Sequence, residues 1–126
     1  MTYALVIDDN RQTAEALAQM LKIWDISAKI SLNPSSGMQA LEDVLPRIVF
    51  LDINMPGVDG FEVLAFLKRE PRLMGIPVVI VTSDDQPETA RRALDAGAAA
   101  LVIKPVMVEM IEAALVKVGF LPPPAK

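Results

Sequence analysis

Polar side chains of three chemical kinds stand at the ends of four short apolar segments. They comprise carboxylates, hydroxyls and one ammonium group: Asp8, Asp9, Asp52, Thr82, Ser83 and Lys104. Each residue alone is as well explained by a helix cap or a turn. All of them, however, stand at the carboxyl ends of their apolar segments. Together they predict a site for a divalent cation and for phosphoryl transfer.

The carboxylates define the chemistry of such a site. One pair of carboxylates about 4 Å apart costs about 4 kcal/mol at an effective dielectric constant near 20. Lys104 offsets part of this repulsion, and a hard cation would offset the rest. Because the available ligands are oxygens, Mg²⁺ is the expected metal, held by Asp9 and Asp8. Asp52 is the expected nucleophile, since a carboxylate that attacks phosphorus becomes an acyl phosphate.

The composition of the 126-residue chain excludes several other chemistries. It contains no cysteine and no histidine, which rules out a disulfide, a thiolate nucleophile, the usual zinc sites and a phosphohistidine. A net charge of −4 argues against direct nucleic-acid binding by this domain. No apolar run approaches the roughly 18 residues of a membrane span. We therefore expect a cytoplasmic protein without membrane contact.

The apolar segments have the pattern of buried parallel strands. Four are continuous and rich in branched residues: Ala4–Ile7, Ile48–Leu51, Val78–Val81 and Leu101–Ile103. A fifth, Ile26–Leu32, alternates apolar and polar residues, as a half-exposed edge strand does. Amphipathic helical patterns follow each strand. This order predicts an α/β fold with a five-stranded parallel sheet, flavodoxin-like order 2-1-3-4-5, and five alternating helices on both faces.

Local signals predict where helices begin and where the domain ends. Ser36, Asp59 and Asp85 each precede Gln or Glu by three residues, which predicts capped helix starts. Pro105 suits the start of the last helix. The proline-rich segment 121–126 cannot continue a helix. We therefore expect one domain over residues 1–120 and a tail over residues 121–126.

These motifs, in this order and spacing, resemble those of the response regulator receiver domain, the CheY-like family of two-component signalling. The motifs are Asp8-Asp9, the run from Asp52 to Gly57, Thr82-Ser83 and Lys104-Pro105. The resemblance covers essentially the whole chain. It implies that Asp52 accepts a phosphoryl group and that Asp8, Asp9, Asp52 and the backbone carbonyl of Asn54 bind Mg²⁺. It also implies that Thr82, Ser83 and Lys104 contact the phosphoryl group, and it makes the Lys104–Pro105 bond a candidate cis peptide.

The resemblance also implies partners. The phosphoryl donor would be a sensor histidine kinase or a phosphotransfer protein, and the output would be an unidentified downstream protein. The chain would catalyse only its own phosphorylation and dephosphorylation. Asn54 and Asp84 occupy the variable positions that tune loss of the phosphate in this family. Leu101 departs from the pattern, because most receivers carry Tyr or Phe there as part of the switch.

Other functions on a similar fold are less consistent with the sequence. A haloacid dehalogenase-type phosphatase needs an Asp-x-Asp-x-Thr run after the first strand, where this chain has Asp8-Asp9-Asn10-Arg11-Gln12. A nucleotide or flavin binder would offer glycines and backbone N–H groups there, whereas two carboxylates repel phosphate. A receiver-like module that acts only by protein contact remains an alternative, favoured by Leu101 and opposed by the complete acidic set.

Overall fold

The computed structural model of the chain describes residues 3–123. Within this range the longer strands are β1 (Tyr3–Ile7), β2 (Ser27–Ser31), β3 (Ile48–Asp52), β6 (Val78–Thr82) and β7 (Ala100–Ile103). The short strands β4 (Asn54–Met55) and β5 (Val58–Asp59) pair as an antiparallel hairpin. The helices are α1 (Arg11–Leu21), α2 (Pro34–Asp43), α3 (Gly60–Arg69), α4 (Pro87–Asp95) and α5 (Val108–Lys117). A 3₁₀ turn, Lys22–Trp24, extends α1.

The five longer strands form one parallel sheet in the order β2-β1-β3-β6-β7. Counted without the hairpin, this is the order 2-1-3-4-5, so the fold predicted from the alternating strands and helices is confirmed. All five residues of β3 and of β6 are buried, as continuous apolar runs require. In β2 exposed and less exposed residues alternate, which places this strand at the edge of the sheet.

Helices cover both faces of the sheet because neighbouring strand residues point in opposite directions. On one face, Val6 and Phe50 belong to the same apolar cluster as buried residues of α1 and α5. On the other face, Leu5 and Leu51 share a cluster with buried residues of α2, α3 and α4. Helices thus cover both faces of the sheet, and the loops at its carboxyl edge connect each strand to a helix.

Three helices begin at residues other than the predicted ones. Helix α2 starts at Pro34, and Asn33 caps it by accepting the Ser36 N–H at 2.8 Å. Ser36 is therefore a residue of the first turn, since Pro34 already has the backbone angle of a first helical residue. Pro87 starts α4 in the same way, after Asp85. Helix α5 starts at Val108, three residues after Pro105, because Met107 is still extended.

The end of the described chain lies against the domain. Phe120 and Leu121 are half-buried on the α1 and α5 face of the sheet. The guanidinium carbon of Arg47 lies 5.7 Å from the centre of the Phe120 ring. Of the predicted tail, residues 124–126 lie outside the described residues. Within residues 3–123, none of the helices is long and apolar enough to cross a membrane.

Candidate functional site

Four adjacent strands bring the predicted site residues to one edge of the sheet. Asp8 follows β1, Asp52 ends β3, Thr82 ends β6, and Lys104 follows β7. Because these strands are parallel neighbours, their carboxyl ends lie side by side. Asp8, Asp52 and Thr82 are at most 3% exposed, whereas Asp9 is exposed. The site therefore has a buried floor with one carboxylate at its opening.

The carboxylates form a compact cluster around one ammonium group. Asp8, Asp9 and Asp52 each offer an oxygen within 4.8 Å of the others. The Lys104 Nζ lies 3.1 Å from Oδ2 of Asp8 and 3.2 Å from Oδ2 of Asp52. A single lysine thus pairs with both buried carboxylates, and the third carboxylate leaves the cluster with a negative net charge.

Backbone amides hold the other oxygen of each buried carboxylate. The N–H of Asn10 donates to Oδ1 of Asp8, and the N–H of Asn54 donates to Oδ1 of Asp52, both at 2.9 Å. Each bond closes a tight turn directly after a strand, because an Asp side chain reaches the amide two residues ahead. Each buried carboxylate is therefore oriented by a hydrogen bond from its own loop.

The surroundings shift the pKa values of the central pair. Burial raises the pKa of Asp52 above its usual value, and the nearby negative charge of Asp8 raises it further. The hydrogen bond from the Asn54 N–H and the charge and hydrogen bond of Lys104 oppose this rise only in part. Burial alone would lower the pKa of Lys104. The hydrogen bond to Asp8 and the charges of both carboxylates outweigh that effect and hold it above its usual value. Lys104 is thus a cation at neutral pH.

The donor set fits a hard divalent cation. All three clustered ligands are carboxylate oxygens, which Mg²⁺ prefers, and the exposed Asp9 leaves the cluster open to water. Lys104 balances only one of the three carboxylate charges, so the cluster keeps negative charge that a cation would neutralise. The chemistry of these residues is therefore compatible with Mg²⁺.

A hydrogen-bond network surrounds Thr82. Its hydroxyl oxygen accepts from Nδ2 of Asn54 at 2.7 Å and from the N–H of Asp84 at 3.1 Å. The Asp84 carboxylate in turn accepts from the Thr89 hydroxyl at 2.6 Å and from the Gln86 N–H at 2.9 Å. The bond from the Thr89 hydroxyl and, to a smaller extent, the bond from the Gln86 N–H hold the pKa of Asp84 below its usual value. The network therefore links the end of β6 to the first turn of α4.

Sequence reasoning missed the side-chain role of Asn54 and the contact of Thr89 with Asp84. The available signal for Asn54 was a polar residue two positions after the expected nucleophile. Its partner depends on how β3 lies beside β6, which local patterns do not specify.

The remaining predicted positions lie around the cluster. Ser83 is exposed, and the Lys104–Pro105 peptide bond is cis. Leu101 is half-buried in β7 and packs on the α2, α3 and α4 side of the sheet. An aliphatic side chain thus occupies the position where the resemblance implies an aromatic ring.

Comparison with known proteins identifies relatives of the chain. The sequence profile of the response regulator receiver domain matches residues 4–116. Two-component response regulator ORR12 of Oryza sativa subsp. japonica is 38% identical over 117 residues, covering 84% of this chain and 88% of ORR12. Response regulator PleD of Caulobacter vibrioides is 35% identical over 104 residues, covering 81% of this chain and 22% of PleD.

A solved structure shows the same relationship. The signal receiver domain of a DNA-binding response regulator (merR) from Colwellia psychrerythraea 34H has a TM-score of 0.85 and 28% identity, covering 91% of this chain and 95% of that one. Some curated relatives are much longer, and the chain spans as little as 16% of their length. Since the profile match runs from the first strand into the last helix, and relatives over the same span are response regulators, the chain belongs to the response regulator receiver domain family.

Proposed function

We propose that this chain is a phospho-accepting switch whose phosphoryl group is carried by Asp52. The observation that supports this most directly is the position of Asp52. It is a buried carboxylate at the end of a central strand, with Lys104 on one oxygen and the Asn54 N–H on the other. Asp8 and Asp9 lie beside it. Such an arrangement positions an anionic nucleophile and supplies positive charge next to it.

The proposed donor is the phosphohistidine of a sensor histidine kinase or a phosphotransfer protein. An oxygen of the Asp52 carboxylate attacks phosphorus, the phosphorus–nitrogen bond breaks, and the electron pair leaves with the imidazole nitrogen, which takes up a proton. The product is an acyl phosphate on Asp52. The chain itself supplies the nucleophile and the charge around it, so its chemistry is limited to its own phosphorylation and dephosphorylation.

The surrounding residues have separate proposed tasks. Lys104 neutralises charge beside Asp52, and Thr82 and Ser83 offer hydroxyls to the phosphoryl group. Asp8, Asp9 and Asp52, with the backbone carbonyl of Asn54, would hold Mg²⁺. When bound, this cation would neutralise charge on the phosphoryl oxygens. The proposed response is a shift of Thr82 and Lys104 that moves α4, with little motion at Leu101.

The biological setting belongs to the same proposal. A downstream protein would read the shape change, and the location would be the cytoplasm. Residues 121–126 would form a tail after a receiver domain of residues 1–120, with Leu121 packed against the domain. The alternative, a module that works by contact without phosphate, gains no support from the site. Lys104 lies within ion-pair distance of both Asp8 and Asp52.

Phosphorylation by a small donor tests this function. We expect acetyl phosphate with Mg²⁺ to add one phosphoryl group that is labile to hydroxylamine, detected by intact-protein mass spectrometry. Asp52→Asn should abolish the addition, because an amide is not a nucleophile for phosphorus. Asp95→Asn, an exposed carboxylate at the end of α4, is the matched control and should be modified normally. A phosphoryl group retained in the Asp52→Asn variant would contradict the proposal.

A further inference from the structure

The hydroxyl oxygen of Thr82 is fully engaged as an acceptor. A hydroxyl oxygen has two lone pairs, and here one faces Nδ2 of Asn54 and the other the N–H of Asp84. Thr82 has no exposed surface, so water does not compete for these bonds. The two donors therefore fix the position of the Thr82 hydroxyl oxygen, and the hydroxyl can make a further hydrogen bond only by donating its proton.

The two donors differ in origin. The Asp84 N–H is local to Thr82, two residues further along the same loop, and closes a turn there. Asn54 belongs to the loop after β3, 28 residues earlier, and reaches across from the strand that carries Asp52. Its contact is the shorter of the two, at 2.7 Å. The bond from Asn54 thus links two strands, whereas the bond from Asp84 only shapes one loop.

Asn54 also contacts the nucleophile. Its backbone N–H donates to Oδ1 of Asp52, while its side chain donates to Thr82. One residue therefore fixes the place of Thr82 relative to the phosphoacceptor. Asn54 is otherwise exposed, so its side chain is not required to fill the core. A substitution of Asn54 therefore removes its contact with Thr82 without disturbing the packing of the core.

We propose that Asn54 is a positioning residue that holds Thr82 in its resting place, so that the Asn54–Thr82 bond breaks when Thr82 moves to a phosphoryl group on Asp52. This inference rests on the proposed function. One hydrogen bond shifts an equilibrium between two states by roughly two- to tenfold. Removing the Asn54 amide therefore favours the phosphorylated arrangement by about that factor.

A double-mutant cycle tests whether Asn54 acts through Thr82. The probe is beryllofluoride with Mg²⁺, and its affinity is measured by calorimetry. Asn54→Ala should raise the affinity roughly two- to tenfold. The same change should have no effect in a Thr82→Ala background and should keep its effect in Thr82→Ser, which retains the hydroxyl. An equal rise in the Thr82→Ala background would overturn the proposal, because Asn54 would then act without Thr82.

A second readout needs neither metal nor phosphoryl mimic. In the metal-free chain, the Asn54 side-chain amide should show slowed exchange with water by NMR. That protection should disappear in Thr82→Ala, while the side-chain amide of Asn33 serves as the unchanged control. Unprotected Asn54 amide protons in the unsubstituted chain would overturn the proposal.

If the unsubstituted chain does not bind beryllofluoride at all, the proposed function fails together with this inference. If it binds and Asn54→Ala changes nothing, only this inference fails.

Discussion

Asp52 is a residue at which stability and chemistry oppose each other. Asp52 is 3% exposed, and its carboxylate lies beside a second buried carboxylate, that of Asp8. Burial raises its pKa, which means that the folded chain holds the Asp52 proton more tightly than the unfolded chain does. Because proton binding is linked to folding, the folded state loses stability as the pH rises from 3.8, the usual pKa of an Asp side chain, through the higher pKa of Asp52 in the folded chain. The ionised nucleophile therefore destabilises the fold at neutral pH.

We predict that Asp52→Asn stabilises the metal-free protein at pH 7 by about 1 kcal/mol, a typical gain when a functional-site group is neutralised. The gain should shrink as pH falls through the raised folded pKa and vanish below 3.8, where the carboxyl of Asp52 is protonated in both the folded and the unfolded chain. Urea unfolding of both proteins across this pH range measures it. Asp43→Asn, at the exposed end of α2, is the control and should change little. A less stable Asp52→Asn protein at pH 7 would contradict this account.

Asp9 offers a separate test of the metal site, because it is exposed and its removal leaves the buried pair intact. A ligand that binds only the folded state stabilises it by about 2.7 kcal/mol at 100 times its Kd. We predict that saturating Mg²⁺ raises the melting temperature of the unsubstituted chain and that Asp9→Ala removes most of this rise. Asp43→Ala should keep it. Identical curves with and without Mg²⁺ for the unsubstituted chain would count against the site.

At the scale of single residues, the sequence predicts well which residues form the site, but it predicts poorly which of their side chains contact one another. Asp8, Asp52 and Lys104 follow buried strands, and parallel pairing alone brings such residues to one edge. The bond from Asn54 to Thr82 depends instead on the register in which Asp52 lies opposite Val81, and on the rotamer of one amide. Neither leaves a periodic signal in the chain.

Among the elements, the segment between β3 and α3 shows where sequence patterns stop being informative. The hairpin of β4 and β5 has two residues in each strand, too few for any hydrophobic period. Gly57 turns the hairpin with a φ of +73°, which glycine adopts without strain. By contrast, the alternation in β2 spans enough residues to predict an edge strand. The longer elements were predictable because their apolar residues form a continuous run or a periodic pattern over several residues, which the two-residue strands of the hairpin cannot do.

The start of α3 gives the prediction at this scale. A Cβ on Gly60 would lie 2.2 Å from the backbone Cα of Ile53, the residue directly after Asp52. The contact is with backbone, so a side-chain rotation cannot relieve it. We predict that Gly60→Ala costs about 2–3 kcal/mol, as other overpacked sites do. The measurement is the urea midpoint at constant m-value.

Gly75→Ala is the matched control, because a Cβ at Gly75 meets nothing within 4 Å. It should change stability by no more than about 0.5 kcal/mol. Equal stabilities of the two variants would show that α3 does not pack closely on the loop after the phosphoacceptor strand.

Across the whole molecule, the helices are attached to the sheet unequally. In the described chain, α1 and α5 each bury three side chains and α3 buries four residues, whereas α4 buries only Ala93. The other contacts described for α4 are polar or partly exposed. The Thr89 hydroxyl donates to Asp84, and the Arg92 guanidinium carbon lies 3.8 Å from the centre of the Phe61 ring in α3. The helix next to the Thr82 loop is therefore the least firmly held.

We predict that α4 opens separately from the sheet, since segments with few buried contacts exchange through local opening. Native-state hydrogen exchange should give global protection for amides of β1, β3 and β6 and lower protection, nearly independent of urea, for α4. Arg92→Ala removes a cation–π contact of about 0.5–1 kcal/mol and should speed exchange in α4 roughly two- to fivefold, with β3 unchanged. Arg91→Ala is the control, because among the described residues Arg91 makes no such ring contact. Exchange of α4 that follows global unfolding would show that this helix is bound to the sheet as firmly as the others.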